Sequence, residues 1–247
     1  MKTVIITGGT SGIGLATARL YLENGDRVIA IGRSQGKYEM AAAALKKFTA
    51  QYHFIAADVK ECGQCREAVR QIEKNFIQVD ILINSAGMYQ EKPIDEVGEA
   101  DFNEMMGINI KGTYFMCKYV LPLLKKSRQN PAIVNISSDA GINGNYFCTL
   151  YCAAKGAVTV FSKALALELA GFKIRVNCVC PGDIDTPLTR AQFAGNEAAA
   201  KAAAELYPLG RIGTAQEAAD VIYFLASEKA SFVTGAVWSV DGGLTSC

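Results

Sequence analysis

The sequence predicts a doubly wound α/β fold, a single parallel seven-stranded sheet with helices on both faces. Three observations carry that expectation: seven short aliphatic runs, longer segments of helical period between them, and a glycine-rich turn joining the first run to the first helix. The runs are residues 4–6, 28–31, 53–57, 79–83, 132–136, 174–179 and 236–240. They are rich in Val and Ile and lack polar alternation, as strands covered on both faces do. Helical spacing marks residues 13–24, 61–76, 102–124, 153–170 and 215–226. Strand followed by helix throughout implies parallel pairing with crossovers.

Taken in chain order, each run ends on small or polar residues. The first passes into Thr7-Gly8, the second into Gly32-Arg33, the third into Asp58-Val59 and the fourth into Asn84-Ser85-Ala86-Gly87. The fifth closes on Ser137-Ser138, the sixth on Cys180-Pro181-Gly182 and the last on Asp241-Gly242-Gly243. Asn109 falls inside the 102–124 helix, and Tyr151 and Lys155 lie at the start of the next. Residues 187–207, with alanine at every position of 198–204 except Lys201, read as a helical excursion rather than a boundary. The chain is therefore expected to be one domain spanning 1–247, with a substrate lid near 187–207.

Composition excludes several function classes. Lys plus Arg number 25 against 24 for Asp plus Glu, so no electrostatic footprint for nucleic acid or an anionic membrane exists. The N-terminus, Met1-Lys2-Thr3-Val4-Ile5-Ile6-Thr7-Gly8, lacks the long apolar stretch and cleavage site of a signal peptide. No run is read as approaching the roughly 20 apolar residues that span a bilayer. A cytoplasmic location is expected. Eight cysteines in a chain of this size are read as free, mostly apolar side chains. Cys62-Gly63-Gln64-Cys65 has redox-like spacing but reads as a helix start, and no metal site is expected because His53 is the sole histidine. His53 is expected to pack, and without a GxSxG elbow there is no Ser-His-Asp hydrolase.

The glycine-rich turn is Thr7-Gly8-Gly9-Thr10-Ser11-Gly12-Ile13-Gly14, leading straight into a helix. A pyrophosphate needs backbone N–H groups at a helix N-terminus and no Cβ in its way. Gly8 permits the tight turn, Gly12 the close approach of backbone to ligand, and Gly14 the packing of helix on sheet. A glycine turn without ligand has the same composition, but the position between first strand and first helix favours the phosphate reading.

With its TGxxxGIG spacing the sequence resembles the short-chain dehydrogenase/reductase family over nearly its whole length. The resemblance continues through Asp58-Val59, Asn84-Ser85-Ala86-Gly87 (the family more often has a second Asn at Ser85), Asn109, Ser138 and Tyr151-x-x-x-Lys155. Pro181-Gly182-x-Ile184-x-Thr186 and Val240-Asp241-Gly242-Gly243 complete it. It implies a Rossmann-type oxidoreductase that interconverts a ketone and a secondary alcohol. Asn109, Ser138, Tyr151 and Lys155 would form the catalytic set. Gly8, Thr10, Ser11, Gly12, Ile13, Gly14, Asp58, Val59, Asn84, Ala86, Gly87, Pro181, Gly182, Ile184 and Thr186 would hold the dinucleotide, with Tyr151 and Lys155 at its nicotinamide ribose. Where NAD-preferring folds carry an acid on the ribose, this chain has Gly32 followed by Arg33. A guanidinium suits a 2′-phosphate, so NADP(H) is preferred, with NAD(H) the alternative.

Tyr151 and Lys155 lie one helical turn apart and share a face. An ammonium about 5 Å from a phenol, at an effective dielectric near 20, favours phenolate by roughly 3 kcal/mol. The lysine is therefore expected to draw the tyrosine down toward the working pH. Ser138 would hold the substrate oxygen, and Asn109 would position a water linking Lys155 to solvent. Residues 88–89, 140–148 and 187–207 are expected to line the substrate pocket, with Asn145, Tyr146 and Phe147 offering both apolar and polar contacts. The substrate remains open: a 3-oxoacyl group on acyl carrier protein, a hydroxysteroid, a sugar or another secondary alcohol. Lys125-Lys126-Ser127-Arg128 would suit an acidic carrier, or simply complement a helix dipole. A non-catalytic NADP(H)-binding sensor is the alternative of another class, and relatives imply a homotetramer.

Overall fold

The computed structural model describes residues 1–246. Its strands are β1 (Thr3–Thr7), β2 (Arg27–Gly32), β3 (Tyr52–Ala56), β4 (Ile81–Asn84), β5 (Ala132–Ile136), β6 (Arg175–Pro181), β7 (Ile184–Asp185), β8 (Gly213–Thr214) and β9 (Val237–Val240). Seven form one parallel sheet in the order β3-β2-β1-β4-β5-β6-β9, and β7 pairs with β8 apart from it. The helices are α1 (Gly12–Glu23), α2 (Gln35–Ala44), α3 (Cys62–Asn75), α4 (Glu99–Met106), α5 (Thr113–Leu124), α6 (Thr149–Leu169), α7 (Pro187–Gln192), α8 (Glu197–Glu205) and α9 (Ala215–Ala226).

Strand periodicity divides the apolar side chains between two layers. Ile5, Ile29, Leu82, Ile133 and Val176 face α3, α5 and α6 through Ile72, Val120 and Leu169. Their neighbours Val4, Ile6, Val28, Ile83 and Val134 face α1, α2 and α9 through Leu22, Ala41 and Ile222. Burial on both faces is why the runs show no polar alternation.

Four elements differ from the sequence expectation. Ala41 is the one buried residue of α2, so that helix has no apolar stripe for spacing to reveal; the Ser34 hydroxyl caps it by accepting from Lys37 N at 3.2 Å. The 102–124 segment is α4 and α5 joined by a π-helical turn, Gly107–Gly112. A Cβ on Gly112 would stand 2.9 Å from the Val59 side chain, so glycine lets this turn press against the loop that follows β3. Helix α6 starts at Thr149 rather than 153, which places Tyr151 in its first turn. Thr149–Phe172 is long and apolar enough to cross a membrane by length and composition. In this fold its buried face, including Tyr151, Lys155, Val158 and Ser162, packs on the sheet instead.

The 187–207 excursion forms α7 and α8 and returns to the sheet at Tyr207. The Tyr207 hydroxyl accepts from Asp183 N at 2.6 Å, and its ring lies where a Cβ on Gly182 would be, 2.7 Å from Cε1. The basic run 125–128 sits at the opposite edge from the strand C-termini. Ser127 Oγ donates to Asp80, just ahead of β4, and Lys125 Nζ lies 3.6 Å over the Phe172 ring. All seven described cysteines are free. Cys62 begins α3 and Cys65 is buried with its thiol on Val59 O at 3.2 Å, pushed up to about 11 by that burial. His53 packs edge-on against Phe76, ring centres 5.8 Å apart. No metal-binding cluster occurs among the described residues.

Candidate active site

Because β1 and β4 are sheet neighbours whose connections leave in opposite directions, a crevice opens beyond their C-terminal ends. A cavity of about 990 Å³ lies there, walled by the β1–α1 turn, the ends of β2 to β6, the start of α6 and the 187–207 excursion. Its lining spans both the glycine turn and the Tyr151–Lys155 pair.

In the glycine turn, Gly8 adopts φ +68°, and a Cβ there would stand 3.0 Å from Ala86 N, so glycine lets the turns after β1 and β4 meet. Gly12 adopts φ +51° at the first position of α1, where Ser11 supplies no side-chain cap. The first-turn amides of α1 therefore have no side-chain acceptor and face the cavity, the arrangement that receives a phosphate. Thr10, Ser11, Gly12 and Ile13 line the wall; Gly14 does not. A Cβ on Gly14 would collide with Gly8 O, so this glycine holds α1 against its own loop. Packing on the sheet falls instead to Gly9, whose Cβ would lie 3.0 Å from Ala30 Cβ and from Ile6 O.

At the adenosine end, Arg33 has a side chain 61% exposed and sits loosely at 3.7 Å from Asp58 Oδ2 and 3.9 Å from Glu104 Oε1. Such long contacts leave the guanidinium free to turn to a ligand phosphate. Asp58 and Val59 line the same wall. Lys37 also reaches it, a second cation that sequence reasoning missed; its signal was the four-residue spacing from Arg33 across the cap of α2. The dinucleotide fits these residues: a glycine-lined turn without Cβ atoms, uncapped helix amides and two cations in one elongated cavity. Ala86 and Gly87 line it too. Asn84 corrects the expectation, since it lies outside the wall. Its Nδ2 donates to Asn135 Oδ1 at 2.8 Å, so it ties β4 to β5 within the core, and Asn135 continues to Ser162 Oγ at 2.9 Å.

The other end of the cavity brings Ser138, Tyr151 and Lys155 to one stretch of wall, 7%, 9% and 5% exposed. Ser137 turns away, its hydroxyl donating to Lys155 O at 2.8 Å, which leaves Ser138 beside the Tyr151 phenol. Lys155 Nζ donates to Ile136 O at 3.0 Å and lies 5.7 Å from the Tyr151 ring centre. Burial pushes the Tyr151 phenol well above its ordinary value, and the neighbouring Ser138 hydroxyl offsets only part of that. The expected depression by lysine is thus absent from the protein alone: desolvation dominates, and it draws Lys155 itself down to about 8. Asn109, buried in the π turn, is not in the wall. Its Oδ1 accepts from Met88 N and its Nδ2 donates to Met88 O, both at 3.0 Å, clamping the peptide beyond Gly87. Its Oδ1 and Lys155 Nζ flank the space a Gly87 Cβ would fill, at 3.0 and 3.5 Å. Pro181, Gly182, Ile184 and Thr186 close this end of the cavity.

On the substrate side, Met88, Tyr89, Asn143–Tyr146 and residues of 187–207 line the wall as expected. Ala140, Gly141, Ile142 and Phe147 do not. With φ +53° Phe147 turns its ring outward, and its carbonyl accepts from Lys92 N at 2.7 Å. Tyr89 meets the Tyr151 ring edge-on at 4.9 Å, and Gln192 Nε2 from α7 reaches its hydroxyl at 3.5 Å. Glu91, Asp139 and Asp183 are wall residues that motif reasoning passed over.

Residues 8–245 match the family model described as enoyl-(acyl carrier protein) reductase. The chain belongs to the short-chain dehydrogenase/reductase family. It is 37% identical over 243 residues to the 3-oxoacyl-[acyl-carrier-protein] reductase of Thermotoga maritima, covering 98% of this chain and 97% of that one. To the L-fucose dehydrogenase of Oryctolagus cuniculus it is 37% identical over 246 residues, 98% and 84% of the two chains. Its fold superposes on ElxO with NADP bound at a TM-score of 0.93, with 36% identity over 100% of this chain and 99% of that one. A short-chain dehydrogenase/reductase of Brucella melitensis, described as glucose/ribitol dehydrogenase, gives 0.91 at 35% identity, covering 98% and 96%. Membership of the short-chain dehydrogenase/reductase family fits one cavity in which a phosphate-type turn and a Ser-Tyr-Lys set share a wall.

Proposed function

We propose that this protein interconverts a ketone and a secondary alcohol with NADP(H), Tyr151 giving or taking the proton on the substrate oxygen. One observation carries the reading. Ser138, Tyr151 and Lys155 line the same cavity as the glycine turn and Arg33. When bound, the dinucleotide supplies or accepts the hydride. Gly12, Ile13 and the first-turn amides of α1 would hold its pyrophosphate, Arg33 and Lys37 its 2′-phosphate, and Lys155 its nicotinamide ribose. NADP-bound ElxO among the similar structures supports that cofactor. Ser138 fixes the substrate oxygen at the phenol. Burial keeps Tyr151 a phenol across the physiological range, so it is charged with a proton for reduction. In oxidation the buried ammonium of Lys155, together with a positive nicotinamide, favours the phenolate.

A 3-oxoacyl-carrier-protein substrate is the second reading, supported by the named activity of the Thermotoga relative and by apolar side chains exposed around the site, Ile142, Tyr146, Leu188 and Leu206. The basic run 125–128 lends it no help, because it lies a strand's length, roughly 17 Å, from the site. A non-catalytic sensor would need no Ser-Tyr-Lys convergence. We further propose a soluble cytoplasmic homotetramer. The chemistry is tested by following absorbance at 340 nm with NADPH or NADH against panels of acyl thioesters, steroids and polyols. Turnover of at least one carbonyl–carbinol pair, with NADPH favoured about tenfold or more, is expected. Tight NADPH binding with no turnover across all panels would leave the sensor.

A further inference from the structure

The substrate end of the cavity is built from hydrogen-bond acceptors. Ser138 Oγ donates to Asp139 Oδ1 at 2.6 Å, and Asp139 Oδ2 takes a second bond from Asn145 Nδ2 at 3.0 Å. In the free protein Asp139 holds the Ser138 hydrogen, a place that a substrate carbonyl oxygen can take, and the Asp139 carboxylate itself lines the wall as an acceptor. Asp183 and Glu91 line the same wall. Asp139 and Asp183 both act on the Tyr151 and Tyr207 phenols, and Asp139 and Glu91 both help hold the Asp183 carboxyl above its ordinary range, after burial. The three carboxylates therefore converge on one end.

No Lys or Arg among the described residues pairs with Asp139, Asp183 or Glu91. Cations on the adjoining segments are taken elsewhere, Lys92 by Asp101 and Arg190 by Asp185, each at 2.6 Å. Of the cations in the wall, Arg33 and Lys37 belong to the adenosine end, and Lys155 is bonded to Ile136 O. No free cation here receives a substrate carboxylate, sulfonate or phosphate, and three acids repel one. An ammonium would satisfy the acids, yet it brings no acceptor for the amide hydrogens of Asn143 and Gln192, which share the wall. A hydroxyl group gives one hydrogen and accepts others, so it matches acids and amides together.

We propose that the substrate is an uncharged polyhydroxylated carbinol, a sugar or polyol, with Asp139 and Asp183 as its specificity-determining residues. The proposal rests on the ketone–alcohol chemistry given above and names its substrate class. It is tested with a matched series and NADP⁺: D-galactose, D-galactosamine and D-galacturonate, with xylitol as an open-chain polyol and acetoacetyl-CoA with NADPH as the acyl probe. The expected result is highest kcat/KM for a neutral member, at least about tenfold above the amine, the uronate and the thioester. Asp183→Asn is expected to raise the KM of that neutral substrate about tenfold or more with a smaller change in kcat. The Tm rise that the substrate gives the NADP⁺-loaded protein should shrink in the same variant. Preference for acetoacetyl-CoA, the amine or the uronate overturns the proposal, as does an unchanged KM in Asp183→Asn. Turnover of no member, with NADPH still bound, overturns the chemistry on which it rests.

Discussion

Tyr151 and Lys155 share one face of α6, and burial moves their proton affinities in opposite directions, the phenol up and the ammonium down to about 8. Lys155 normally titrates near 10.5, so between about pH 8 and 10.5 the unfolded chain keeps a proton that the folded protein has released. Stability from this site thus rises with pH across that window, and the cost of burying the ammonium is fully present below about pH 8. Removing the charge should show it: Lys155→Met is expected to raise the apo Tm at pH 7 by about 3 °C, a gain that shrinks toward pH 10, while activity is lost. Thermal unfolding at pH 7 and 9.5 checks this, and a lower Tm at pH 7 would contradict it. Arg33 acts at the other end of the cavity. Arg33→Ala should cost NADPH about 10- to 100-fold in kcat/KM, as loss of a charged hydrogen bond does, and leave NADH within about threefold. Steady-state kinetics with both cofactors measures it. The Tyr-x-x-x-Lys spacing and Arg33 were legible because each needs only the chain's own periodicity. Asp139 and Asp183 were not, since as neighbours of Ser138 and Gly182 they read as ordinary loop acids until the fold turned them toward one another.

At the scale of elements, close approach explains the glycines that periodicity cannot. Gly141, just after the Ser138 turn, lies where a Cβ would collide with Ser137 Oγ and stand 2.8 Å from Thr159 Oγ1 and 2.9 Å from Lys155 O. Gly141→Ala must push β5 and α6 apart and is expected to cost roughly 2 kcal/mol. The midpoint of urea unfolding would show it, and an unchanged midpoint would mean the helix yields freely. The π turn has the same character. The sequence reads as one helix through 102–124, because a single extra residue in a turn scarcely disturbs apolar spacing. Only the contacts of Asn109 with Met88 and of Gly112 with Val59 reveal why the helix is interrupted there. Helix α2 escaped notice for the opposite reason, an exposed helix with no stripe to detect.

Across the whole molecule, strand order is what joins the two halves of the site. The glycine turn follows β1, Ala86-Gly87 follows β4, and Ser138 follows β5, so neighbouring strands deliver the groups proposed for cofactor binding and proton transfer to one edge. The aliphatic runs revealed the seven strands, since burial on both faces leaves a plain sequence signature. Which edge carries a surface group is a property of topology, and the basic run 125–128 shows it by lying away from the cavity. The same topology lets cofactor binding and proton transfer fail separately, because no glycine-turn residue rests on the phenolic oxygen. The most direct measurement is NADPH oxidation at 340 nm by Tyr151→Phe, with NADPH affinity taken by fluorescence on the same sample. We expect turnover to fall at least about 100-fold with NADPH affinity within about threefold of the parent protein. A variant that keeps a tenth or more of the parent turnover would contradict the assignment of Tyr151 as the acid and base.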